Sequence, residues 1–154
     1  MKTLAAGDKA PQFELLDQNG NSVKLDDFSG QKVLVYFYPK AMTPGCTVQA
    51  QGLRDVNDAL KKLNVSVIGI SIDSVTRLAK FADKEGLNFT LLSDEDHAVA
   101  NKFGVWGEKK FMGKVYDGIH RLSFLIDESG TVEHVFNKFK TKEHHQVVLD
   151  YLSA

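Results

Sequence analysis

Cysteine is nearly absent from this chain of 154 residues: Cys46 is the only one. A single cysteine excludes a disulfide within the chain and agrees with a reducing compartment. Long apolar runs are also missing, since no segment approaches the roughly 20 residues that span a bilayer, and residues 1–8 lack the apolar stretch of a secretory signal. We therefore expect a cytoplasmic protein with no membrane partner.

An excess of charge of one sign is the next absence. Nineteen basic residues and twenty acidic residues give a formal net charge of −1. This balance offers no electrostatic reason to expect a nucleic acid as partner, so the pairs Lys109-Lys110 and Lys138/Lys140 are interpreted as solvated faces. With 43% hydrophobic residues, the chain suits one globular domain over residues 1–154. We expect a monomer or a weak dimer.

Metal-binding patterns are missing as well. The five histidines have no cysteine partners and no spacing typical of a zinc site, and no glycine pattern for binding phosphate is present. We therefore predict neither a metal nor another cofactor. The adjacent pair His144-His145 is predicted to lie on the exposed side of the last helix. His120, which directly precedes Arg121, is predicted to have a structural or surface role.

What the chain does contain is a strand followed by a helix around its one cysteine. Val33 to Tyr38 form an apolar run that reads as a buried strand ended by Pro39. After Cys46, apolar residues recur at helical spacing up to Leu63. Cys46 should therefore lie at the start of a helix, where unpaired N–H groups and the helix dipole favour thiolate over thiol.

Further elements follow from the apolar pattern and the turn residues. Asn19-Gly20 predicts an N-terminal hairpin, and residues 65–72 predict a strand parallel to residues 33–38. The remaining predictions are a helix from Ser74 to Gly86, a strand over 89–92, a helix from Asp94 or Asp96 to Phe103, a surface loop over 104–118, a hairpin over 121–136 and a final helix holding Val147 to Leu152. This order indicates an α/β three-layer sandwich.

The residues around Cys46 resemble a known family. Pro39, Thr43 and Cys46 fit the proline-x-x-x-threonine-x-x-cysteine signature of the peroxiredoxins, and residues 36–47 are similar to the bacterioferritin comigratory protein, or peroxiredoxin Q, branch. Further fragments occur in the order that this branch shows: Ala10 to Phe13, Leu91 to Asp94, Phe103 to Val105 and Arg121 to Asp127. The resemblance implies a thioredoxin-like α/β/α fold with an N-terminal hairpin and a mixed central sheet.

The resemblance also implies an activity and a set of site residues. It implies a thiol-dependent peroxidase that reduces hydrogen peroxide and organic hydroperoxides through a sulfenic acid on Cys46, and so serves antioxidant defence. Thr43 and Arg121 would assist the attack, Pro39 would shield the sulfur, and the N–H groups of Gly45 and Cys46 would bind the substrate. A lone cysteine is often inert in a core, and Thr43 could simply cap the helix.

One departure from the branch affects the catalytic cycle. Many members carry a resolving cysteine five residues after the first, where this chain has Gln51. Without it, the sulfenic acid must be reduced by an external thiol, such as thioredoxin, glutaredoxin or glutathione, in a one-cysteine mechanism. A redox sensor or binding protein without turnover remains an alternative, and a cysteine hydrolase is a weaker one because no general-base histidine can be assigned.

Overall fold

Nine strands and four α-helices run through residues 1–154, all of which the computed structural model describes. The strands are β1 (Glu14–Asp17), β2 (Ser22–Lys24), β3 (Lys32–Phe37), β4 (Val65–Ser71), β5 (Thr90–Ser93), β6 (Trp106–Phe111), β7 (Lys114–Ile119), β8 (Leu122–Ile126) and β9 (Val132–Phe136). The helices are α1 (Pro44–Lys62), α2 (Val75–Glu85), α3 (Ala98–Phe103) and α4 (His144–Ser153), and a short 3-10 helix covers Leu25–Phe28. None of these helices is long and apolar enough to cross a membrane.

Seven of the strands form one mixed sheet in the order β2-β1-β5-β4-β3-β8-β9. β3 pairs in parallel with β4 across the α1 crossover, as predicted, and pairs antiparallel with β8 on its other side. Because neighbouring side chains of a strand point to opposite faces, β3 contributes to two cores. Val33 and Val35 face α3, whereas Leu34 and Tyr36 face α1, α2 and α4. The predicted mixed-sheet, three-layer architecture is confirmed.

The ends of α2 and α3 show how local signals position the helices. Ser74 Oγ accepts a hydrogen bond from the Arg77 N–H at 3.2 Å, and Gly86 ends α2 with a left-handed φ of 60°, as predicted. α3 begins at Ala98, four residues after Asp94. The buried Asp94 carboxylate nevertheless accepts hydrogen bonds from the N–H groups of Val99 and Ala100. Burial raises the pKa of Asp94, and these two bonds oppose that effect.

The prediction of a surface loop over residues 104–118 is wrong. β6 and β7 form an antiparallel hairpin there, closed by Met112 and Gly113 with φ values of 50° and 79°. A two-residue turn with both φ values positive fits the twist of a hairpin. Most of the outer residues of this hairpin are exposed, so no apolar alternation marks its strands in the sequence.

Candidate active site

Cys46 is the third residue of α1, and Thr43 occupies the N-cap position before Pro44. The first N–H group of the helix to bond a backbone carbonyl is that of Thr47, which donates to the Thr43 carbonyl at 2.9 Å. The N–H groups of Gly45 and Cys46 therefore have no acceptor within the protein. Cys46 itself is only 1% exposed. A buried sulfur thus lies among unpaired donors at the positive end of a helix dipole.

Arg121 lies directly before β8 and contacts the sulfur. Its Nη2 donates to Cys46 Sγ at 3.3 Å. Since β8 pairs with β3, the sheet carries Arg121 to the point where the chain leaves β3 for α1. A guanidinium is always charged and presents several donors in a rigid fork, so it can stabilise a thiolate and a bound oxygen together. The structure brings together the predicted cysteine and arginine.

Thr43 and Pro39 lie on the short connection between β3 and α1. The Thr43 hydroxyl donates to the Lys40 carbonyl at 2.7 Å and makes no side-chain capping bond to the helix. Its oxygen therefore keeps its lone pairs as acceptors, although it makes no hydrogen bond to Cys46. Pro39 is half-buried two residues after β3 ends and presents only an apolar ring.

Gln49 is a site residue that the sequence analysis missed. Its side chain is fully buried, and Oε1 accepts a hydrogen bond from Arg121 Nη1 at 2.6 Å. Gln49 follows Cys46 by three residues in α1, so both side chains lie on one face of the helix. This three-residue spacing from Cys46 was the signal in the sequence that could have identified Gln49 as a site residue. Gln49 and Cys46 together hold the two terminal nitrogens of Arg121.

Thr141 and Lys109 are two further neighbours of the site. A side-chain carbon placed on Gly45 would lie 3.5 Å from Arg121 Nη2 and 3.6 Å from Thr141 Cγ2. Arg121 and Thr141 therefore flank the start of α1. Lys109 is half-buried and donates to the Ile119 carbonyl at 2.8 Å, which corrects its prediction as a solvated residue. Burial and then the nearby Arg121 charge lower the pKa of Lys109, while Cys46 opposes that change.

His144 is the other correction, because it is completely buried instead of exposed. Its Nε2 lies 2.7 Å from Ser123 Oγ, and its ring centroid lies 4.5 Å from that of Phe139. Burial first, and then the charges of Arg121 and His145, lower the pKa of His144 to about 3. A neutral histidine can fill a core position, and the helical pattern of α4 does not show which neighbours surround it.

His145 and His120 complete the histidines near this face. His145 is half-buried against Gly52 of α1, where any larger residue would collide with its ring. This close approach fixes α4 against the helix that carries Cys46. His120 Nε2 lies 3.0 Å from the Glu108 carbonyl, at the base of the β6–β7 hairpin. Neither histidine makes a hydrogen bond to the sulfur.

The chain belongs to the AhpC/TSA family, whose model matches residues 6–135. It is 68% identical over 152 residues to peroxiredoxin Bcp of Escherichia coli K12, covering 99% of this chain and 97% of that protein. Peroxidoxin BcpB of Mycobacterium tuberculosis has a solved structure with a TM-score of 0.86 and 36% identity, covering 97% of both chains. The bacterioferritin comigratory protein of Xanthomonas campestris, studied for alkyl peroxide reduction, has a TM-score of 0.86 and 33% identity, covering 92% of this chain and 90% of that one.

These comparisons confirm the predicted peroxiredoxin fold and the resemblance to the bacterioferritin comigratory branch. They also confirm the predicted class of activity, that of a thiol-dependent peroxidase. The single cysteine of this chain agrees with a cycle that lacks an internal resolving thiol.

Proposed function

We propose that this chain reduces hydrogen peroxide and organic hydroperoxides with Cys46 as the nucleophile. The Cys46 thiolate attacks one oxygen of the hydroperoxide, the O–O bond breaks, and the departing oxygen takes a proton to leave as water or an alcohol. Sulfur is oxidised to the sulfenic acid, and the hydroperoxide is reduced. The observation that carries the proposal is the 3.3 Å hydrogen bond from Arg121 Nη2 to the sulfur at the start of α1.

The donors around the sulfur suit the transition state of this reaction. Negative charge moves from sulfur to the departing oxygen, so donors fixed near both atoms lower the barrier. Each such donor raises the rate by about 10²- to 10³-fold. Arg121 and the N–H groups of Gly45 and Cys46 are such donors. The Thr43 hydroxyl already donates its hydrogen to the Lys40 carbonyl. Its oxygen is therefore left to accept a hydrogen bond from the O–H of the incoming hydroperoxide. The ring of Pro39 shields the sulfur from water.

The second half of the cycle requires a thiol from outside the chain. No other cysteine exists to close a disulfide, so the external thiol attacks the sulfenic sulfur and releases water. A second thiol then releases the Cys46 thiolate from the mixed disulfide. Thioredoxin, glutaredoxin and glutathione are candidate sources of this thiol.

Gln51 occupies one of the two regions where members of this branch carry a resolving cysteine, the other being the next helix over Ala79 to Ala82, and here it has a different role. Its Nε2 donates to Glu85 Oε1 at 2.8 Å, and Arg54 Nη1 donates to the Glu85 carbonyl at 2.6 Å. These bonds hold the early turns of α1 against the end of α2. The contacts favour a helix that stays wound while Cys46 is oxidised and reduced.

The alternatives have less support. A cysteine hydrolase needs a base hydrogen-bonded to its nucleophile, but Cys46 Sγ bonds only Arg121, and the buried His144 bonds Ser123. A redox sensor without turnover would share the same site and would differ only in how the oxidised cysteine is recycled.

We also propose one domain over residues 1–154, a cytoplasmic location and a monomer or weak dimer. The single domain is supported by one sheet that draws its strands from residue 14 to residue 136.

Steady-state hydroperoxide consumption tests the proposed function. Hydrogen peroxide and an alkyl hydroperoxide are each supplied with thioredoxin, glutaredoxin with glutathione, or a small dithiol. Many turnovers per protein with at least one thiol would support the peroxidase. A single turnover with every thiol would instead favour the sensor, and consumption by the Cys46→Ser variant at the wild-type rate would contradict both.

A further inference from the structure

A buried carboxylate that follows β4 bonds to the backbone of the connection that carries Thr43. β3 and β4 are adjacent and parallel, so the chain leaves both strands at the same edge of the sheet. Asp73 lies two residues past the end of β4 and is only 6% exposed. Its Oδ2 accepts a hydrogen bond from the Ala41 N–H at 2.7 Å and another from Ser71 Oγ at 2.7 Å. The end of β4 therefore holds the backbone between β3 and α1.

Arg77, in the first turn of α2, bonds to the same point of the backbone. Its Nε donates to Asp73 Oδ1 at 3.1 Å, and its Nη2 donates to the Ala41 carbonyl at 3.3 Å. A pair four residues apart can stabilise a helix by itself, but these two side chains also bond a residue 32 and 36 positions earlier in the chain. We call Asp73 and Arg77 the loop clamp, because together they hold both backbone groups of Ala41.

One peptide group connects the loop clamp to Thr43. The Ala41 N–H and the Lys40 carbonyl belong to the same trans peptide unit, which is planar, so they point in opposite directions. The N–H donates to Asp73, and the carbonyl accepts the Thr43 hydroxyl at 2.7 Å. Holding the N–H in place therefore fixes the direction of the carbonyl, and the carbonyl in turn fixes where the hydroxyl hydrogen of Thr43 points.

The conformation of Met42 shows that this connection has to be held. Met42 follows Ala41 directly and has a φ of 66°, in the left-handed region. A residue other than glycine keeps such a conformation only when the surrounding structure imposes it. Because Thr43 is the next residue, a change in the backbone at Met42 would displace the Thr43 oxygen. The bonds of the loop clamp are the side-chain contacts that hold the peptide groups on the N-terminal side of Met42.

We propose that Asp73 is a positioning residue for the reduction of hydroperoxides and that it acts together with Arg77. The loop clamp holds the Lys40–Ala41 peptide group, and this group holds the Thr43 oxygen where the O–H of the hydroperoxide arrives. The inference rests on the proposed function and deepens it for the same site. Neither residue of the loop clamp bonds the sulfur, which accepts its hydrogen bond from Arg121. The loop clamp therefore affects the attack on peroxide and leaves the reactivity of the thiolate itself unchanged.

Two electrophiles separate these effects: hydrogen peroxide and iodoacetamide. Both react with the Cys46 thiolate, but alkylation displaces iodide and needs no acceptor for a peroxide O–H. Both rate constants are measured for the wild type and for the variants D73A, D73N and R77M. The matched control is K32M, because Lys32 pairs with Glu133 at 2.7 Å and lies at the opposite end of β3 from the site.

We expect D73A, which leaves the Ala41 N–H without its acceptor, to slow the oxidation of Cys46 by peroxide about 10²-fold. D73N keeps an oxygen that can accept this N–H, and R77M keeps the carboxylate, so each should slow oxidation by about tenfold. Alkylation should stay within about twofold of the wild-type rate in all three variants, because the thiolate keeps its own donors. K32M should match the wild type with both reagents.

The same substitution in a Thr43→Val background tests the route through Thr43. Residues that act through one shared contact have effects that do not add. If the loop clamp acts by holding the Thr43 oxygen, T43V/R77M should react with peroxide within about twofold of T43V alone. A further tenfold loss in the double variant would mean that Arg77 acts by another route.

Three results would overturn the inference: peroxide rates in D73N and R77M that match the wild type, peroxide and iodoacetamide rates that fall by the same factor, or effects of R77M and T43V that multiply. Arg77 is partly exposed, so R77M and its double variant give the answer if circular dichroism shows that D73A does not fold. If wild-type Cys46 gains no oxygen from peroxide, the proposed function fails together with this inference. If the wild type and the loop-clamp variants gain oxygen at the same rate, only this inference fails.

Discussion

The first turns of α1 and α4 each bury a titratable side chain beside β8, but Arg121 acts on the two in opposite ways. Cys46 receives a hydrogen bond from the guanidinium, which stabilises a negative sulfur. His144 bonds Ser123 instead, and the same positive charge adds to burial in lowering the pKa of His144 to about 3. Both side chains are buried, so they differ in whether the nearby positive charge favours or opposes their ionised form.

The largest expected effect is at the reactive side of this comparison. Cys46→Ser should lower peroxide consumption by at least about 10⁴-fold, because a serine hydroxyl is almost entirely protonated at neutral pH and lacks the nucleophilicity of sulfur. The matched control is Thr47→Ser, one residue further along α1, which should consume peroxide at the wild-type rate. Circular dichroism should show the same fold in both variants. Consumption by Cys46→Ser above one tenth of the wild-type rate would remove Cys46 from the mechanism.

Removing the shared cation should have the next largest effect. Arg121→Met should slow the oxidation of Cys46 by about 10²- to 10³-fold, since one fixed donor to the transition state is lost. Competition with a reporter that consumes peroxide measures this rate constant. Lys110→Met, which removes an exposed cation from the hairpin, is the control and should change the rate little. An unchanged rate in Arg121→Met would mean that the contact at 3.3 Å has no catalytic role.

Thr43→Val tests the acceptor on the connection before α1. The variant loses both the bond to the Lys40 carbonyl and the oxygen that would accept the hydroperoxide O–H, so we expect oxidation to be slower by about 10²-fold. Thr47→Val makes the same change within the helix and should react nearly as fast as the wild type. If the two variants slow equally, a general effect on the start of α1 would replace the proposed role of Thr43.

The structural side of the comparison predicts a smaller effect that depends on pH. The unfolded chain protonates His144 below about pH 6.5, whereas the folded chain keeps it neutral until about pH 3. Stability is therefore lost as the pH falls through this window. Between pH 7.5 and 5, His144→Gln should lose about 2 kcal/mol less unfolding free energy than the wild type, as measured in urea.

The control for this measurement is His120→Gln, in which a half-buried histidine outside the core is replaced. Its loss of stability between the two pH values should equal that of the wild type. A His144→Gln variant whose stability falls by the same amount as the wild type would show that His144 is not kept neutral by the fold.

The sequence predicted elements whose signals are local. The apolar run of β3, the cap at Ser74 and the left-handed Gly86 each act within a few residues, and the structure has them as predicted. The signature around Cys46 likewise belongs to one continuous segment. These features depend on neighbours in the chain, so the chain order alone is enough to find them.

The features that the sequence analysis missed depend on distant contacts. The β6–β7 hairpin is largely solvated, so its strands lack a buried face that would reveal them. His144 is buried because Ser123 and Phe139 come from other parts of the fold, and Lys109 reaches the Ile119 carbonyl only across the β6–β7 hairpin. Gln49 had a local signal in its spacing from Cys46, but the sequence did not show its bond to Arg121.

The most direct test of the account is the mass of the peptide over residues 41–54, which trypsin releases with Cys46 inside it. After one equivalent of peroxide without a reductant, the protein should form no disulfide-linked dimer, and this peptide should gain one oxygen, about 16 Da, that is trapped by a reagent specific for sulfenic acid. A dithiol should remove the oxygen. A peptide with no added oxygen, or with oxygen only on Met42, would contradict the claim that Cys46 is the peroxidatic residue of a one-cysteine cycle.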